Sequence, residues 1–465
     1  MSKFPSSDRR RGRGLVFVLL SLVVVTFAFG MWGALRLGPA PAVVIEVDRP
    51  AVGRAAKVTA TFSEPGRGLG QVRLELVQGT HTIVLGEKSF ARAGAFSPLR
   101  GAATGEATVE ATIGRATQDW LAEGEAVLRA TADRMSGPLR MAAPVVVEKR
   151  VAVRLRPPRL GLLSRQHYVR QGGAGAVVFR TGDTAVRSGV RAGGFESVSF
   201  PLPGAAAGER FALFAIPWEL ADGRDIRVFA EDDAGNRAEA PFVDLFKPMP
   251  AKSDTIEVSD AFLEKVVPPI VAQTPELDPA GSLLDQYVRI NSDLRAKILA
   301  RVAALAATTE PRFLWSGPFL QMPNTEKRAN FAETRSYTYQ GRVVDRQTHL
   351  GLDLASNARA AVPAANAGRV LFAGWLGIYG NAVILDHGYG LLSLYGHLSA
   401  VSVGEGERVA RGATVGNSGA TGLAGGDHLH LEIFVQGKSV DPVEWLDAHW
   451  ITDNIASKLP VTTTP

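Results

Sequence analysis

Histidine and aspartate residues in the last third of this 465-residue chain have the types and spacing of a metal site. Five of the eight histidines lie between positions 349 and 430. The chain has no cysteine, so thiolate zinc sites, disulfides and cysteine nucleophiles are excluded. Any metal must therefore be held by His, Asp or Glu side chains.

The segment 349–353 reads HLGLD and could supply two ligands. On a strand, residues four positions apart point to the same face, so His349 and Asp353 could reach one metal. Histidine offers a neutral nitrogen and aspartate an anionic oxygen, a pair that suits zinc in the absence of thiolates. By itself this spacing is common in proteins, so the segment needs further ligands from elsewhere in the chain.

Further histidines occur in DHLHLEI (427–433) and YGHL (395–398). Strand alternation predicts His428 and His430 on one face, with the intervening apolar residues turned into a core. His397 follows an apolar stretch. A hydrolytic zinc site needs three ligands and an open position for water. The remaining imidazoles could orient that water, transfer a proton or stabilise an oxyanion.

The order H-x-x-x-D, Y-G-H-L and H-L-H-x-E-I resembles the lysostaphin-type (LytM-type) peptidoglycan metalloendopeptidases over residues 312–450. A framework of glycines and the closing segment VDPVEWL (440–446) agree with the resemblance. It implies an antiparallel β-roll with a groove for an extended peptide, and one zinc ion. It further implies the following roles: His349, Asp353 and His430 as zinc ligands, and His397 and His428 as catalytic histidines that do not bind the metal.

The function implied by the resemblance is that of a zinc endopeptidase hydrolysing peptide cross-links of bacterial peptidoglycan, and the N-terminal segment described below predicts that it is membrane-anchored. The main alternative is a non-hydrolytic regulator or activator of other cell-wall hydrolases, because some relatives keep the roll but lose ligands. Here all five positions match, which favours the enzyme. Cleavage of exported proteins instead of wall peptides is a third hypothesis, and only a substrate assay separates it from the first.

The net charge of +5 is concentrated at the N-terminus, where residues 1–14 contain five basic residues and one acidic residue. No basic patch with interleaved aromatics occurs elsewhere, so we expect no nucleic-acid partner. Residues 15–35 are 21 uncharged residues, about 30 Å of helix, which is enough to cross a bilayer. They predict a single-pass inner-membrane anchor with the C-terminal domains in the periplasm or otherwise outside the cytoplasm. A cleaved signal peptide is the alternative, with small residues at 40–42.

The remaining chain predicts a mainly β fold. Residues 43–155 alternate as in a β-sandwich, and residues 159–246 predict a second, immunoglobulin-like module after Pro157-Pro158. A helical segment at 256–309 precedes the β-roll domain at 312–450, and residues 451–465 form a tail. The sandwiches contain no cluster of catalytic residue types, so we expect them to space the C-terminal domain or to bind envelope proteins.

Within the helical segment, Ser282 can cap a helix with apolar residues at intervals of three and four. Such a stripe is typical of a connecting helix packed on a neighbouring domain. The alternative is a segment that covers the active site until it is displaced.

For several other residues, an ordinary structural or surface role is sufficient. We expect structural or surface roles for His81, His167, His387 and His449. Glu432 shares a strand face with His430 and is either a support for that ligand or a solvated charge.

Overall fold

The computed structural model describes residues 9–35, 40–65, 68–90, 104–135 and 143–460, with side chains of the first segment described from 16 to 31. The predicted tails 1–14 and 451–465 therefore lie partly outside the described residues. The chain divides into two compact units. The first comprises residues 1–157 with 233–236, and the second comprises residues 158–232 and 237–465.

The first helix, α1, spans Arg9–Leu35, and its side chains from 16 to 31 are exposed. Over the described residues, no helix has both the length and the apolarity needed to cross a bilayer. The anchor at 15–35 stays a prediction.

The first unit contains two sheets that enclose one apolar core. One sheet has the order β1-β3-β6 and the other the order β2-β8-β7-β4-β5. Strand β3 alternates as its sequence predicts, with Val58, Ala60 and Phe62 fully buried. The strands are β1 Ala42–Val47, β2 Ala51–Val52, β3 Ala56–Ser63, β4 Leu69–Gln78, β5 His81–Ser89, β6 Glu106–Ile113, β7 Gly124–Arg134 and β8 Val145–Val153.

The second unit begins with two four-stranded sheets of orders β14-β15-β11-β9 and β13-β12-β16-β17, and a parallel pair β10-β18. Strand β11 is buried on both faces: Val177 and Phe179 face the core between the sheets, and Ala176 and Val178 face the large C-terminal sheet described below. The strands are β9 Leu160–Leu162, β10 Tyr168–Arg170, β11 Ala174–Thr181, β12 Ala185–Ala192, β13 Phe195–Val198, β14 Phe200–Pro201, β15 Glu209–Ala215, β16 Ile226–Asp232, β17 Arg237–Pro241 and β18 Leu245–Lys247.

The helical segment follows strand β19 (Lys252–Glu257) and contains α2 (Asp260–Gln273), α3 (Leu283–Arg289) and α4 (Arg295–Ala306). Ser282 caps α3 as predicted, through a capping box with Asp285. A π-helical turn at Ile290–Leu294 joins α3 to α4. The predicted apolar stripe is buried at five positions: Tyr287, Ile290, Leu294, Ile298 and Val302.

The C-terminal part is built on an eight-stranded sheet of order β20-β23-β31-β27-β26-β25-β29, with β32 paired to β31. Two three-stranded sheets, β19-β21-β22 and β24-β30-β28, complete it, and short helices close it. The elements are β20 Glu326–Ala329, β21 Glu333–Tyr339, β22 Arg342–His349, β23 Leu352–Ala355, β24 Ala361–Pro363, β25 Gly368–Trp375, β26 Asn381–Asp386, β27 Leu391–Leu398, β28 Ala400–Val401, β29 Arg408–Val409, β30 Thr414–Asn417, β31 Leu429–Val435, β32 Lys438–Val440, α5 Pro442–Leu446 and α6 Ala448–Asn454.

The two faces of this large sheet belong to different cores. Leu429, Leu431 and Ile433 of β31 pack with the second β module. Phe434, on the opposite face, packs with the helical segment. This is the alternation predicted for 427–433, and it places His430 on the face that the helices cover. Burial of both faces explains the nearly continuous apolar runs in β27 and β31.

Candidate active site

Three side-chain atoms from three strands converge at the edge of the large sheet. The Nε2 of His349 lies 3.0 Å from Oδ1 of Asp353 and 3.2 Å from Nδ1 of His430. The Nδ1 of His430 is 2.9 Å from the same Asp353 oxygen. Asp353 and His430 are direct neighbours in the β23–β31 pairing, so the sheet register fixes their separation.

His349 and Asp353 reach this point by a different route from the one predicted. They do not share one strand: His349 ends β22, Asp353 lies in β23, and the strands are separated by Leu350 and Gly351. The chain turns there, and the side chains converge across the turn. An added Cβ on Gly351 would lie 2.6 Å from the His430 ring, so the close approach requires glycine.

The protons of both imidazoles are directed away from the convergence point. His349 donates its Nδ1–H to the carbonyl oxygen of Asn330 at 2.8 Å. His430 directs Nε2 toward Oε2 of Glu432 at 3.3 Å. When the rings are neutral, as metal binding requires, these contacts leave the lone pairs of His349 Nε2 and His430 Nδ1 facing the Asp353 oxygen.

Three inward lone pairs about 3 Å apart fit a metal ion. Tetrahedral ligand atoms around zinc, with bonds of about 2.0–2.1 Å, are separated by roughly 3.4 Å. Without a cation the three atoms would repel one another, because at most one proton can be shared between them. The donor set of two imidazoles and one carboxylate therefore suits zinc.

The electrostatics of the cluster also favour a cation. Burial opposes ionisation of Asp353, but the surrounding imidazoles of His349, His428 and His430 favour the carboxylate, outweigh burial and hold its pKa well below the usual value. Burial lowers the pKa of His430, yet its contacts with Asp353 and Glu432 raise it to about 9. Burial dominates at His349 and lowers its pKa. Two carboxylates thus surround His430 with negative charge.

His397 and His428 lie beside this cluster without joining it. The ring centroids of His397 and His428 are 4.8 Å apart, and Nε2 of His428 is 3.6 Å from the Asp353 oxygen. Each donates Nδ1–H to a backbone carbonyl, His397 to Thr421 and His428 to Gly426, both at 2.8 Å. In the neutral form of each ring, Nε2 then carries the lone pair and can accept a proton.

His397 is held in an unusual backbone conformation, with φ of 62°. Non-glycine residues rarely adopt this region, and such residues cluster at functional sites. Burial lowers the pKa of His397 to about 3, with His428 and His430 acting in the same direction. The imidazole is therefore neutral at physiological pH.

Beneath His430 lies a polar network that the sequence only suggested. Glu432 is fully buried and accepts hydrogen bonds from Tyr379 at 2.6 Å and from Ser439 at 2.5 Å, in addition to its contact with His430. Of the two roles left open for Glu432, the structure favours support of His430. Partners of this kind orient metal-binding histidines. In the sequence, the shared strand face of His430 and Glu432 was the signal for their contact. For Tyr379 the sequence offered no signal beyond its residue type.

Arg335 is a further site residue that sequence reasoning missed. Its Nη2 lies 3.2 Å from Oδ2 of Asp353, the oxygen directed away from the convergence point. Arg335 belongs to β21, which pairs with β22. Nothing in the order of motifs along the chain indicated this contact, because it depends on the pairing of two strands.

The site opens into a cavity of about 250 Å³. The β domain contributes the four histidines and Asp353, together with Arg335, Tyr337 and Tyr379. The helical segment contributes Phe262, Tyr287 and Arg295. The apolar stripe of this segment packs on the sheet, as expected for a connecting helix. Its polar side chains line the cavity, as expected for a segment that covers the site. Whether it restrains access to the site stays a prediction.

The other histidines lie away from the cavity. His387 is fully buried, with Nδ1 bonded to Ala367 and Nε2 to Ser393, both at 2.7 Å. His81 stacks on Trp120, and His167 contacts Ser164. His449 is exposed beside Asp453. These contacts agree with the structural and surface roles expected for them.

Comparison with known proteins identifies the domain that contains the site. The model of "Peptidase family M23" matches residues 347–442. The "DD-carboxypeptidase/endopeptidase Mpg" of Neisseria meningitidis is 43% identical over 95 residues, which cover 20% of this chain and 22% of that protein. The "Murein hydrolase activator EnvC" of Escherichia coli is 36% identical over 96 residues, 21% of this chain and 23% of that protein. The chain therefore spans less than a quarter of these curated relatives.

Two solved structures also align with parts of the chain. A putative peptidase M23 from Pseudomonas aeruginosa aligns with 59% of this chain and 93% of its own, at a TM-score of 0.36 and 20% identity. The catalytic domain of lysostaphin from Staphylococcus simulans aligns with 31% of this chain and 96% of its own, at a TM-score of 0.20 and 25% identity. From the matched segment and the motifs within it, residues 347–442 are a peptidase family M23 domain of the LytM type.

Proposed function

We propose that this protein is a zinc endopeptidase that hydrolyses peptide cross-links of bacterial peptidoglycan. The supporting observation is the convergence of three possible metal-donor atoms, His349 Nε2, Asp353 Oδ1 and His430 Nδ1, beside two further imidazoles whose Nδ1 atoms are bonded to backbone carbonyls. A protein that only recruits a partner has no need of this complete set.

In this proposal His349, Asp353 and His430 hold one zinc ion. Bound there, zinc supplies Lewis acidity toward water and toward the scissile carbonyl. The chain's own groups do the rest. Arg335 fixes the second oxygen of Asp353, and Glu432 fixes the ring of His430. These contacts keep both ligands oriented before substrate arrives.

His397 and His428 are the groups that move protons. Hydrolysis transfers one proton from the attacking water to the departing amine, and a neutral imidazole can accept it and return it. Both histidines line the cavity, and both use Nδ1 to bond a backbone carbonyl, so Nε2 is the nitrogen left for this task. Either ring, once protonated, also stabilises the oxyanion that develops on the carbonyl.

A second candidate is a non-hydrolytic activator of other wall hydrolases. It is supported by relatives named murein hydrolase activators, from Escherichia coli and from Salmonella dublin. The helical side chains in the cavity also favour it, because they narrow the space for a peptide. The intact donor set favours the enzyme.

The location that suits this function is the cell envelope. We propose that residues 15–35 anchor the chain in the inner membrane, with the domains from 43 onward in the periplasm or otherwise outside the cytoplasm. The two β modules, 43–155 and 159–246, would then position the M23 domain or bind envelope proteins. Fractionation of cells should recover the chain with membranes, whereas a soluble form beginning near Val43 would indicate a cleaved signal peptide.

The decisive experiment incubates the full chain with purified sacculi, with zinc and with a chelator. We expect soluble muropeptides in the first sample and none in the second. The His349→Ala variant is the matched control. If the wild-type chain releases nothing alone but increases release by an added wall amidase, the activator is the correct function. The full chain is required because the core of the M23 domain includes residues from the second β module and the helical segment.

A further inference from the structure

The helical segment places an unpaired hydroxyl in the active-site cavity. Tyr287 of α3 is fully buried and lines the cavity, and its hydroxyl has no hydrogen-bond partner among the described residues. Leaving a buried donor unpaired costs about 1–3 kcal/mol, so such groups call for an explanation. A tyrosine on an apolar stripe could have been a phenylalanine at no cost to packing.

Two cations flank the same part of the cavity. Arg295 and Arg335 both line it, and both are close enough to Tyr287 for their charges to act on its hydroxyl. The Nε of Arg335 is buried and has no partner among the described residues. Arg295 is held by Asn291, through its backbone and side-chain oxygens, and has no carboxylate partner among the described contacts. Asp353, already engaged by the metal cluster, is the one acidic residue among the described lining residues.

The π-helical turn explains how these groups are placed. It lies between α3 and α4 and buries Asn291, whose side-chain amide donates to Asp345 at 2.6 Å and whose oxygens hold Arg295. Such turns occur frequently at functional sites. Burial keeps the pKa of Tyr287 well above its ordinary value, so the phenol is a neutral donor. This part of the cavity therefore offers a donor and two positive charges. A carboxylate outside the lining, Asp345, also acts on the Tyr287 hydroxyl, but it already accepts the hydrogen bond from Asn291.

We propose that Tyr287, Arg295 and Arg335 form a subsite for a carboxylate of the substrate peptide, beside the bond that is cut. The subsite rests on the proposed peptidase function and specifies its substrate class: peptides with a free carboxylate close to the scissile bond. In a wall peptide this group is either the terminal α-carboxylate or the side-chain carboxylate of a diamino acid. The guanidinium groups attract it, and the phenol donates a hydrogen bond to it.

The test uses one cross-linked dimer of wall peptides in four forms, with each of these two carboxylates either free or converted to the carboxamide. Binding to the full chain, freed of metal by a chelator, is measured by calorimetry, and kcat/KM is measured with zinc. We expect one carboxylate to improve binding and kcat/KM by about 10- to 100-fold over its carboxamide, the range for a hydrogen bond to a charged group. The form that loses affinity identifies which carboxylate is recognised.

Two Tyr→Phe substitutions distinguish a loss of carboxylate recognition at the subsite from a general loss of binding. Tyr287→Phe should reduce the preference for the free carboxylate by about tenfold or more and leave the carboxamide forms unchanged. Tyr339→Phe is the control, because its hydroxyl is bonded to Asp260 at 2.8 Å outside the cavity lining. Equal binding of all four forms, or equal losses for all four in Tyr287→Phe, would overturn the subsite. Selective binding without hydrolysis in the presence of zinc would instead overturn the peptidase function and leave the subsite standing.

Discussion

The M23 domain contains two kinds of buried histidine, and they differ in what their nitrogens contact. His349, His397 and His430 are 6–7% exposed, and His387 is fully buried, so burial alone does not separate them. Both nitrogens of His387 have partners, the carbonyl of Ala367 and the hydroxyl of Ser393. Each of the other three has one nitrogen bonded to a protein group and directs the second toward the cluster.

This difference distinguishes a structural histidine from a functional one. At His387 every polar atom is satisfied inside the protein, so nothing remains to bind a ligand. At the cluster, lone pairs face one another and need a cation or a proton. The number of free nitrogens therefore predicts function where sequence position and burial do not. The following predictions test this difference, beginning with the largest expected effect.

Removing a ligand should abolish both metal binding and activity. His349→Ala, Asp353→Ala and His430→Ala each leave two donors, which is too few to hold zinc at catalytic concentrations. We expect zinc content well below one ion per chain and hydrolysis at background, measured by metal analysis and by peptide release. His387→Phe is the control and should retain zinc. Full zinc retention in any of the three variants would show that the ligand is wrongly assigned.

Removing a free imidazole beside the cluster should affect the rate and spare the metal. His397→Ala and His428→Ala keep all three donors, so zinc stays bound while the rate falls by about 10²- to 10⁴-fold. That loss equals about 3–5 kcal/mol in the barrier. Loss of zinc from the His428 variant with retention in the His430 variant would mean that the pair is assigned backwards. Unchanged activity in all five variants would leave the regulatory function.

A substitution that removes no chemical group should also weaken the metal site. In Gly351→Ala, the new Cβ would lie 2.6 Å from the His430 ring and 2.7 Å from the carbonyl oxygen of Leu431, so the ring must move. Displacement of an oriented ligand costs about 10- to 100-fold in metal affinity, measurable by competition with a chelator. Gly404→Ala is the control, because its Cβ would meet nothing within 4 Å. Equal zinc affinity in both variants would show that His430 tolerates the shift.

The sequence was sufficient for the residues whose spacing repeats along a strand or helix. The alternation at 427–433 placed His430 and its apolar neighbours correctly, and the stripe after Ser282 predicted the buried face of α3 and α4. The sequence failed where geometry depends on a turn or on pairing. His349 and Asp353 converge across a strand break, and Arg335 reaches Asp353 through the β21–β22 pairing. Neither contact produces a periodic pattern of residues along the sequence.

The packing of the second β module is a larger contact that the sequence also did not predict. Its strand β11 reads as an apolar run, and the sequence alone does not say what covers its outer face. In the structure Ala176, Val178 and Phe211 pack in one core with the M23 sheet. The module is thus part of the M23 domain's support, a role that composition and motif order leave open.

The smallest predicted effect concerns His387, where we expect a change in stability and none in zinc content or hydrolysis. His387→Phe keeps an aromatic ring against Phe319, whose centroid is 4.8 Å away, but removes the histidine partner of the Ala367 carbonyl and one of the two partners of the Ser393 hydroxyl, which also bonds Tyr395. Each buried group left unpaired costs about 1–3 kcal/mol of the free energy of unfolding. Urea denaturation followed by tryptophan fluorescence should detect it, because Trp315 and Trp445 contact Phe319. His449→Phe, at an exposed position, should stay within about 0.5 kcal/mol of the wild type.

The pH dependence of the stability difference between the wild type and His387→Phe tests whether His387 is buried as a neutral group. Burial lowers its pKa from 6.5 to about 4 in the folded chain. Between these values the unfolded chain binds a proton that the folded chain does not, so acidification favours unfolding. The stabilisation due to His387 should therefore be complete above about pH 6.5 and decline as the pH falls toward 4. The advantage of the wild type over His387→Phe, which cannot titrate there, should shrink from pH 7 to pH 5. An advantage that grows over this interval would mean that His387 is charged in the folded protein, and would remove the distinction between the two kinds of histidine.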